Sequence, residues 1–217
     1  MPATDAAPEL ERCRAAIAAA GEGPEEVIVV REPATGFPSV ARNAGARHAS
    51  GDVLVFVDAD VAVRPDAFVR IRRAFAADPE LTALFGAYDD APAAPGVVPG
   101  FRYLLHHHIH REAAGPATTF WSGLGAVRRE RFLDCGGFDE GRLWMEDVEF
   151  GLRLSATGGR ILLDPEVQGT HLKSLTLRQM LVSDLRSRGV PWVILMLHRR
   201  ERSTTLNLAW RHRAGAA

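Results

Sequence analysis

The stretch VLVFVDADV, residues 53–61, has five consecutive apolar residues followed by two aspartates. A strand that is apolar at every position is typical of a parallel sheet with helices on both faces. Strands and helices are predicted to alternate around it, with strands at 25–30 and 81–87 and helices at 9–20, 39–50 and 66–77. We therefore predict an α/β domain with a mostly parallel central sheet flanked by helices.

Asp58 and Asp60 are the first polar residues after this strand. Ligands of open α/β sheets bind beyond the carboxyl ends of the strands, so both lie where a ligand is expected. Two residues apart in an extended chain, their side chains can point the same way. Paired carboxylates suit Mg²⁺ or Mn²⁺, the ions that accompany diphosphates. Aspartates at strand ends also stabilise turns, so the spacing alone leaves both interpretations open.

The composition narrows the class of protein. A length of 217 residues favours one domain, and 26 Lys plus Arg against 27 Asp plus Glu gives no overall field for nucleic acid. Cys13 and Cys135 are far apart, as expected of reduced thiols in a cytoplasmic protein. No secretory signal pattern begins the sequence, and the apolar run 189–197 is shorter than the roughly 20 residues that span a bilayer.

Four segments occur in an order that resembles glycosyltransferase family 2. They are ARNAGARHASGDVLVFVDADV (41–61), FWSGLGAVRRERFLDCGGFDE (120–140), MEDVEFGLRL (145–154) and THLK (170–173). The resemblance implies an inverting enzyme with the GT-A fold of nucleotide-diphospho-sugar transferases, which is Rossmann-like. It also implies a catalytic domain over 1–175, followed by a basic helical segment over 176–217.

The resemblance assigns the donor side of the site. Asp58, Asp60 and Arg42 would bind the nucleotide-sugar, and Asp60 would hold the Mn²⁺ or Mg²⁺ that bridges the diphosphate. Asp58 would contact the ribose or help to hold the ion. His171 would complete the metal site through an imidazole nitrogen, although a histidine after a strand also serves structural roles.

The acceptor side is assigned in the same way. Asp147 would be the general base, and Glu146 would orient the acceptor or the base. Trp121 and Gly123 would lie under the transferred sugar and the acceptor, although Trp121 suits the core equally well. Because Asp147 is predicted in the first turn of a helix, we expect a lowered pKa for its carboxyl group.

The sequence departs from the family pattern at its start. The usual first strand is missing, and Arg31 and Glu32 follow the strand predicted at 25–30, where members commonly carry an acidic residue that contacts the base. A UDP-sugar is the expected donor, and a saccharide or a lipid-linked molecule is the expected acceptor. A catalytically impaired relative that binds sugar or nucleotide, and a nucleotidyltransferase, are the alternatives.

A histidine-rich stretch and an arginine-rich stretch are the last two features with a predicted role. HHHIH (106–110) is not expected to bind a metal, since adjacent imidazoles on a helix do not converge. Leu177, Leu181 and Leu185 alternate with arginines, which predicts peripheral contact through 176–213 with the inner face of the cell membrane. A helix hairpin packed on the domain is the alternative. Arg188 and Trp192 are candidates to assist the diphosphate or line the acceptor path.

Overall fold

The computed structural model describes residues 1–3, 8–31 and 37–199. The helices of these residues are α1 Pro8–Ala19, α2 Pro38–His48, α3 Ala67–Ala77, α4 Val97–Glu112, α5 Arg129–Asp134, α6 Glu146–Ala156, α7 Leu177–Ser183 and α8 Val190–Arg199. The strands are β1 Val53–Val57, β2 Val61–Val63, β3 Leu81–Tyr88, β4 Gly115–Ala117, β5 Leu124–Arg128 and β6 Arg160–His171. A π-helical turn, Asp184–Gly189, joins α7 to α8.

The six strands form one mixed sheet in the order β1-β5-β3-β6-β2, with β4 also paired to β6. Only the β3–β6 pair is parallel among the described residues; the other four pairs are antiparallel. The α/β fold is confirmed, but the mostly parallel sheet was a wrong prediction. It failed because β5 lies between β1 and β3 and runs against both.

The apolar character of β1 has the cause that was predicted for it. Leu54 and Phe56 pack into one core with Phe132 and Phe138, and Val57 packs on the other face with Phe68. Helices therefore cover both faces of the sheet. Burial on both faces explains an unbroken apolar strand, whichever direction its neighbour runs.

The strand predicted at 25–30 is wrong. Only Val30 is paired, through a parallel bridge to Pro2, and residues 25–29 form no ladder. A cavity of about 690 Å³ lies between residues 24–28 and all five residues of β1. The outer edge of β1 is therefore open in the described part of the chain.

The other predicted elements are confirmed within a residue or two at their ends. The predicted helices correspond to α1, α2, α3 and α6, and the strand at 81–87 corresponds to β3. Of the predicted segment 176–217, residues 177–199 are helical and residues 200–217 lie outside the described residues. None of the helices in the described ranges combines the length and the apolar character needed to cross a bilayer.

Candidate active site

The site begins at the turn that connects β1 to β2. The amide of Asp58 donates to the carbonyl of Gly123 (3.0 Å), and the amide of Val61 donates to the carbonyl of Asp58 (3.1 Å). The chain is therefore not extended here. The expectation of an extended chain at Asp58 and Asp60 was therefore wrong, and the two carboxylates contact different partners, Arg42 and His171.

Arg42 joins two carboxylates from distant parts of the chain. Its Nη2 donates to Oδ1 of Asp58 at 2.6 Å, and its Nη1 donates to Oε1 of Glu146 at 2.7 Å. Arg42 is only 7% exposed, so its pair with Glu146 is shielded from water, whereas Asp58 is about a third exposed. The guanidinium therefore connects the β1–β2 turn to the first residue of α6.

Asp60 lies beside His171 at the end of β6. Its Oδ2 is 3.5 Å from Nε2 of His171, because β2 pairs with β6 and sets Val61 opposite His171. Burial opposes ionisation of Asp60, but the hydrogen bond and charge of His171 and the charge of Lys173 outweigh it and hold the pKa below its ordinary value. Asp60 is therefore an ionised carboxylate next to an imidazole.

Asp147 faces the loop that precedes β5. Its Oδ2 accepts from the amide of Ser122 (3.2 Å) and from the Ser122 hydroxyl (3.3 Å), and its Oδ1 accepts from the amide of Val148 (2.8 Å). Gly123, the next residue after Ser122, is the residue whose carbonyl binds Asp58. One short loop thus contacts both Asp147 and the β1–β2 turn, which carries Asp58 and Asp60 and which we call the aspartate turn.

Glu146 and Asp147, the carboxyl pair at the start of α6, both have raised pKa values. Burial, reinforced by the charge of Asp147, raises the pKa of Glu146 to about 7 against the opposing effect of Arg42. Burial also raises the pKa of Asp147, although Arg42 and the Ser122 and Val148 amides oppose the rise. The lowered pKa expected for Asp147 from its place in a first helical turn was therefore wrong, because loss of solvent outweighs the helix dipole.

Backbone strain lies directly before this pair. Met145 has a φ of 62°, in the left-handed region that non-glycine residues rarely adopt. Such conformations cost of order 1–3 kcal/mol and collect at functional sites. Nothing in the local sequence indicated it.

Trp121 and Gly123 pack against each other. A Cβ on Gly123 would lie 2.3 Å from the Trp121 indole, so glycine leaves the space that the ring occupies. Tyr88 contacts both sides of the site: its ring stacks on His171 (centroids 4.9 Å apart) and meets Trp121 edge-on (5.1 Å). Tyr88 was not among the predicted site residues.

Asn43, beside Arg42, holds the loop that follows α5. Its Nδ2 donates to the carbonyl of Phe138 (2.8 Å), and its Oδ1 accepts from the amide of Phe138 (2.9 Å). Ser122, Asn43 and Tyr88 all belong to the site or its support, and sequence reasoning missed them. Ser122 and Asn43 stood inside the recognised segments, but their partners lie 25 and 95 residues away.

Other candidates lie apart from these contacts. His107 and His110, in α4, use Nδ1 to donate to the carbonyls of Tyr88 and Gly86, both at 2.8 Å, so they brace β3. Arg188 pairs with Asp184 in its own helical turn at 3.7 Å. The roles predicted for Arg188 and Trp192 stay predictions.

The donor atoms of the site suit a divalent ion. Asp60 supplies carboxylate oxygen and His171 an imidazole nitrogen, a combination that Mn²⁺ accepts. Asp58 is bound to Arg42, and in the described part of the chain no three His, Cys, Asp or Glu side chains converge into a complete metal site. The residues thus fit an ion that takes its other ligands from a diphosphate and water.

Comparison with known proteins gives a family match. A sequence profile described as glycosyl transferase family 2 matches residues 5–135, more than half of the chain. The O-antigen biosynthesis protein RfbC of Myxococcus xanthus is 31% identical over 163 residues, which are 65% of this chain and 12% of RfbC. An uncharacterized glycosyltransferase of Haemophilus influenzae is 26% identical over 134 residues, 59% of this chain and 44% of the relative. The chain thus spans less than half of either relative.

Solved structures confirm the fold. The mannosyltransferase PcManGT from Pyrobaculum calidifontis, in complex with GDP-Man and Mn²⁺, superposes with a TM-score of 0.61 at 20% identity, over 82% of this chain and 56% of that one. GalNAc-T7 with UDP, GalNAc and Mn²⁺ superposes with a TM-score of 0.51 at 22% identity, over 68% of this chain and 32% of that one. The chain therefore has the GT-A fold.

Proposed function

Because the chain belongs to glycosyl transferase family 2, we propose that it transfers a sugar from a nucleotide-sugar donor to an acceptor hydroxyl, with inversion by single displacement. The observation that carries the proposal is the bridge from Asp58 through the buried Arg42 to Glu146. It holds the aspartate turn and the carboxyl pair of α6 in one site. Such a site can bind a diphosphate on one side and accept a proton on the other.

On the donor side, Asp60 and His171 would hold Mn²⁺ or Mg²⁺. The ion, when bound, neutralises charge on the departing diphosphate as a Lewis acid. PcManGT and GalNAc-T7 were both solved with Mn²⁺, which supports the same ion here. Their nucleotides differ, GDP in one and UDP in the other, so a UDP-sugar remains a proposal for this chain.

On the acceptor side, Asp147 accepts the proton of the attacking hydroxyl. Its raised pKa makes it a stronger base than a solvent-exposed aspartate, and the two Ser122 donors orient its carboxylate. Glu146 and Arg42 are positioning residues that fix the start of α6. Trp121 supplies an apolar surface on which a sugar ring can stack. RfbC acts in O-antigen biosynthesis, which supports a cell-envelope saccharide as acceptor.

The experiment measures donor binding and turnover separately. Thermal unfolding with UDP-, GDP- and TDP-sugars, with and without Mn²⁺, identifies the donor, because a ligand at 100 times its Kd stabilises the fold by about 2.7 kcal/mol. Asp60→Ala should abolish the Mn²⁺-dependent shift. Asp147→Asn should keep the shift and lower transfer by about 10²- to 10⁴-fold.

Asp134→Asn, an exposed aspartate on α5, is the matched control and should behave as the unchanged protein. Equal loss of donor affinity in Asp60→Ala and Asp147→Asn would contradict the assignment of the two sides.

A second candidate is a relative that binds nucleotide-sugar without transferring it. The cavity of about 690 Å³ beside β1 favours it, because missing packing next to the aspartate turn can loosen a catalytic site. Donor hydrolysis in the presence of Mn²⁺ separates the two. Binding without any hydrolysis or transfer would select the second.

A further inference from the structure

The exposed apolar side chains of this protein are unevenly distributed. Of the fifteen large apolar residues that are exposed in the described ranges, eleven lie on α4 and on the C-terminal helices. They are Val97, Phe101, Leu104, Leu177, Leu181, Val182, Leu185, Val190, Val193, Ile194 and Leu197. Single exposed apolar residues are common, but a concentration of this kind marks an interaction surface.

Helix α4 shows the reverse of the usual amphipathic pattern. Val97, Phe101 and Leu104 follow the i, i+4, i+7 spacing of one helix face, and that face is exposed, with Val97 at 87% and Phe101 at 56%. The opposite face carries Tyr103 and His110, which are buried against β3. Polar aromatic groups thus face the protein and apolar groups face outward.

The C-terminal helices carry a second exposed apolar face. Leu177, Leu181 and Leu185 are 53–64% exposed on α7 and the π-helical turn, and Leu197 of α8 is 73% exposed. Leu195 of α8, in contrast, is buried at 3%. Because α8 buries Leu195, its exposed residues Val193, Ile194 and Leu197 belong to the surface of a folded helix.

An ion pair brings the two faces together. Nη2 of Arg102, in α4, lies 2.7 Å from Oδ1 of Asp184, at the start of the π-helical turn. The chain neighbours of this pair are Phe101 and Leu185, both exposed apolar residues. The ion pair thus links the two segments that carry the exposed apolar side chains, and we name these side chains together the docking surface.

The C-terminal part of the docking surface is mainly basic. Residues 173–188 contain four basic residues, Lys173, Arg178, Arg186 and Arg188, and a single acidic one, Asp184. Asp184 is neutralised by Arg102 and by Arg188, at 2.7 and 3.7 Å. Apolar side chains within a basic rim complement the acyl region and the head groups of an anionic bilayer.

We propose that the docking surface binds the face of an anionic lipid bilayer, with α4, α7 and α8 lying in the interface plane. The binding combines burial of the exposed apolar side chains with attraction of the arginines to lipid phosphates. A second copy of the chain would not fit as well, because its own basic rim would meet the first one. Residue Arg178 and residue Arg186, both exposed, supply charge that no acidic neighbour neutralises in the described contacts.

The position of α4 gives the surface a consequence for the substrate, which rests on the proposed function. The inward face of α4 places the His106 ring 4.1 Å from that of Tyr88 and 4.7 Å from that of Trp121, both beside the site. One helix therefore separates the acceptor side from the bilayer. This geometry favours an acceptor carried on a lipid over a free saccharide.

Vesicle flotation of the full chain tests the docking surface. Phosphatidylcholine vesicles with and without phosphatidylglycerol are the probes, at low and high salt. We expect flotation with the anionic vesicles, weakened by salt, and at least a tenfold loss for Phe101→Asp and for Leu181→Asp combined with Leu185→Asp. Leu133→Asp, at an exposed leucine of α5, is the matched control and should float like the unchanged protein.

Arg178→Glu combined with Arg186→Glu tests the charge without altering an apolar residue, and Arg73→Glu on α3 is its control. The proposal is overturned if the unchanged protein does not float, if the surface variants float as well as their controls, or if the same substitutions instead dissociate a dimer. The Mn²⁺-dependent thermal shift with donor is measured on every variant. Flotation of the unchanged protein without that shift would contradict the proposed function but would still support lipid binding by the docking surface.

Discussion

Arg42 decides the electrostatics of the site at the scale of single residues. It is nearly buried, and its two terminal nitrogens neutralise carboxylates that approach from β1 and α6. Loss of one partner of a buried pair typically costs 3–5 kcal/mol, since an unpaired charge is left behind. The sequence predicted Arg42 as a donor-binding residue, and that role stays a prediction. Its observed contacts make it the residue that positions Asp58 and Glu146.

Glu146 should make stability depend on pH. Its pKa is raised from 4.5 to about 7 in the folded protein, so the contribution is full below pH 4.5 and is lost as the pH rises through 7. The difference corresponds to about 3 kcal/mol. We expect Glu146→Gln to be more stable relative to the unchanged protein at pH 8 than at pH 4, as measured by urea unfolding.

Glu130→Gln, at an exposed glutamate of α5, is the control and should show the pH dependence of the unchanged protein. If Glu146→Gln shows that same dependence, Glu146 is not the titrating group.

At the scale of elements, the contact between β3 and β6 shapes the sheet. The register jumps from Phe85 opposite Leu163 to Ala87 opposite Gln168, so β6 bulges at the middle of the pair. The bulge brings the Val167 carbonyl over Gly86, where a Cβ would lie 1.9 Å from the oxygen. Beyond the bulge, β6 continues to His171, so the bulge helps to set the position of this predicted metal ligand.

Gly86→Ala should therefore destabilise the protein strongly. The clash is with backbone, which cannot rotate away, so we expect a loss of about 3 kcal/mol, the upper end of the usual cost of overpacking, in the free energy of unfolding. Gly100→Ala in α4 is the matched control, because nothing lies within 4 Å of its Cβ position. That change should stabilise the protein by about 0.5–1 kcal/mol. Similar unfolding free energies for the two variants would contradict the packing described for Gly86.

At the scale of the whole molecule, stability is expected to be uneven across the sheet. β3 is paired on both sides, whereas residues 25–28 border the cavity of about 690 Å³ and residues 25–29 join no ladder. Segments with few contacts open locally at much lower free energy than a central strand. Local unfolding is therefore expected to cost the least free energy on the side of the molecule at β1.

Hydrogen exchange followed by mass spectrometry should reveal this difference. We expect amides of residues 25–29 to exchange at least about 100-fold faster than those of β3. β2, an edge strand that is paired to β6, is the internal control and should be protected to an intermediate extent. Equal protection of residues 25–29 and β3 would mean that the cavity is closed in solution.

The sequence by itself determined the family, the α/β class, the order of most helices and strands, and the identity of the acidic residues that the fold gathers. These follow from patterns within about a dozen residues, such as an unbroken apolar strand or a glycine after a helix. The sequence also showed that both faces of β1 are buried. It did not show that β5 is antiparallel to β1, because an apolar run carries no information on the direction of its neighbour.

Only the tertiary structure decided the electrostatics of the site. Arg42 meets partners 16 and 104 residues away, and the turn at Ala59 separates Asp58 from Asp60. The pKa of Asp147 is raised, although its position in a first helical turn predicted a lowered pKa. The helix position is a local feature of the sequence, whereas the burial that raises the pKa depends on distant residues. Burial and charge pairing are properties of groups that only folding brings together.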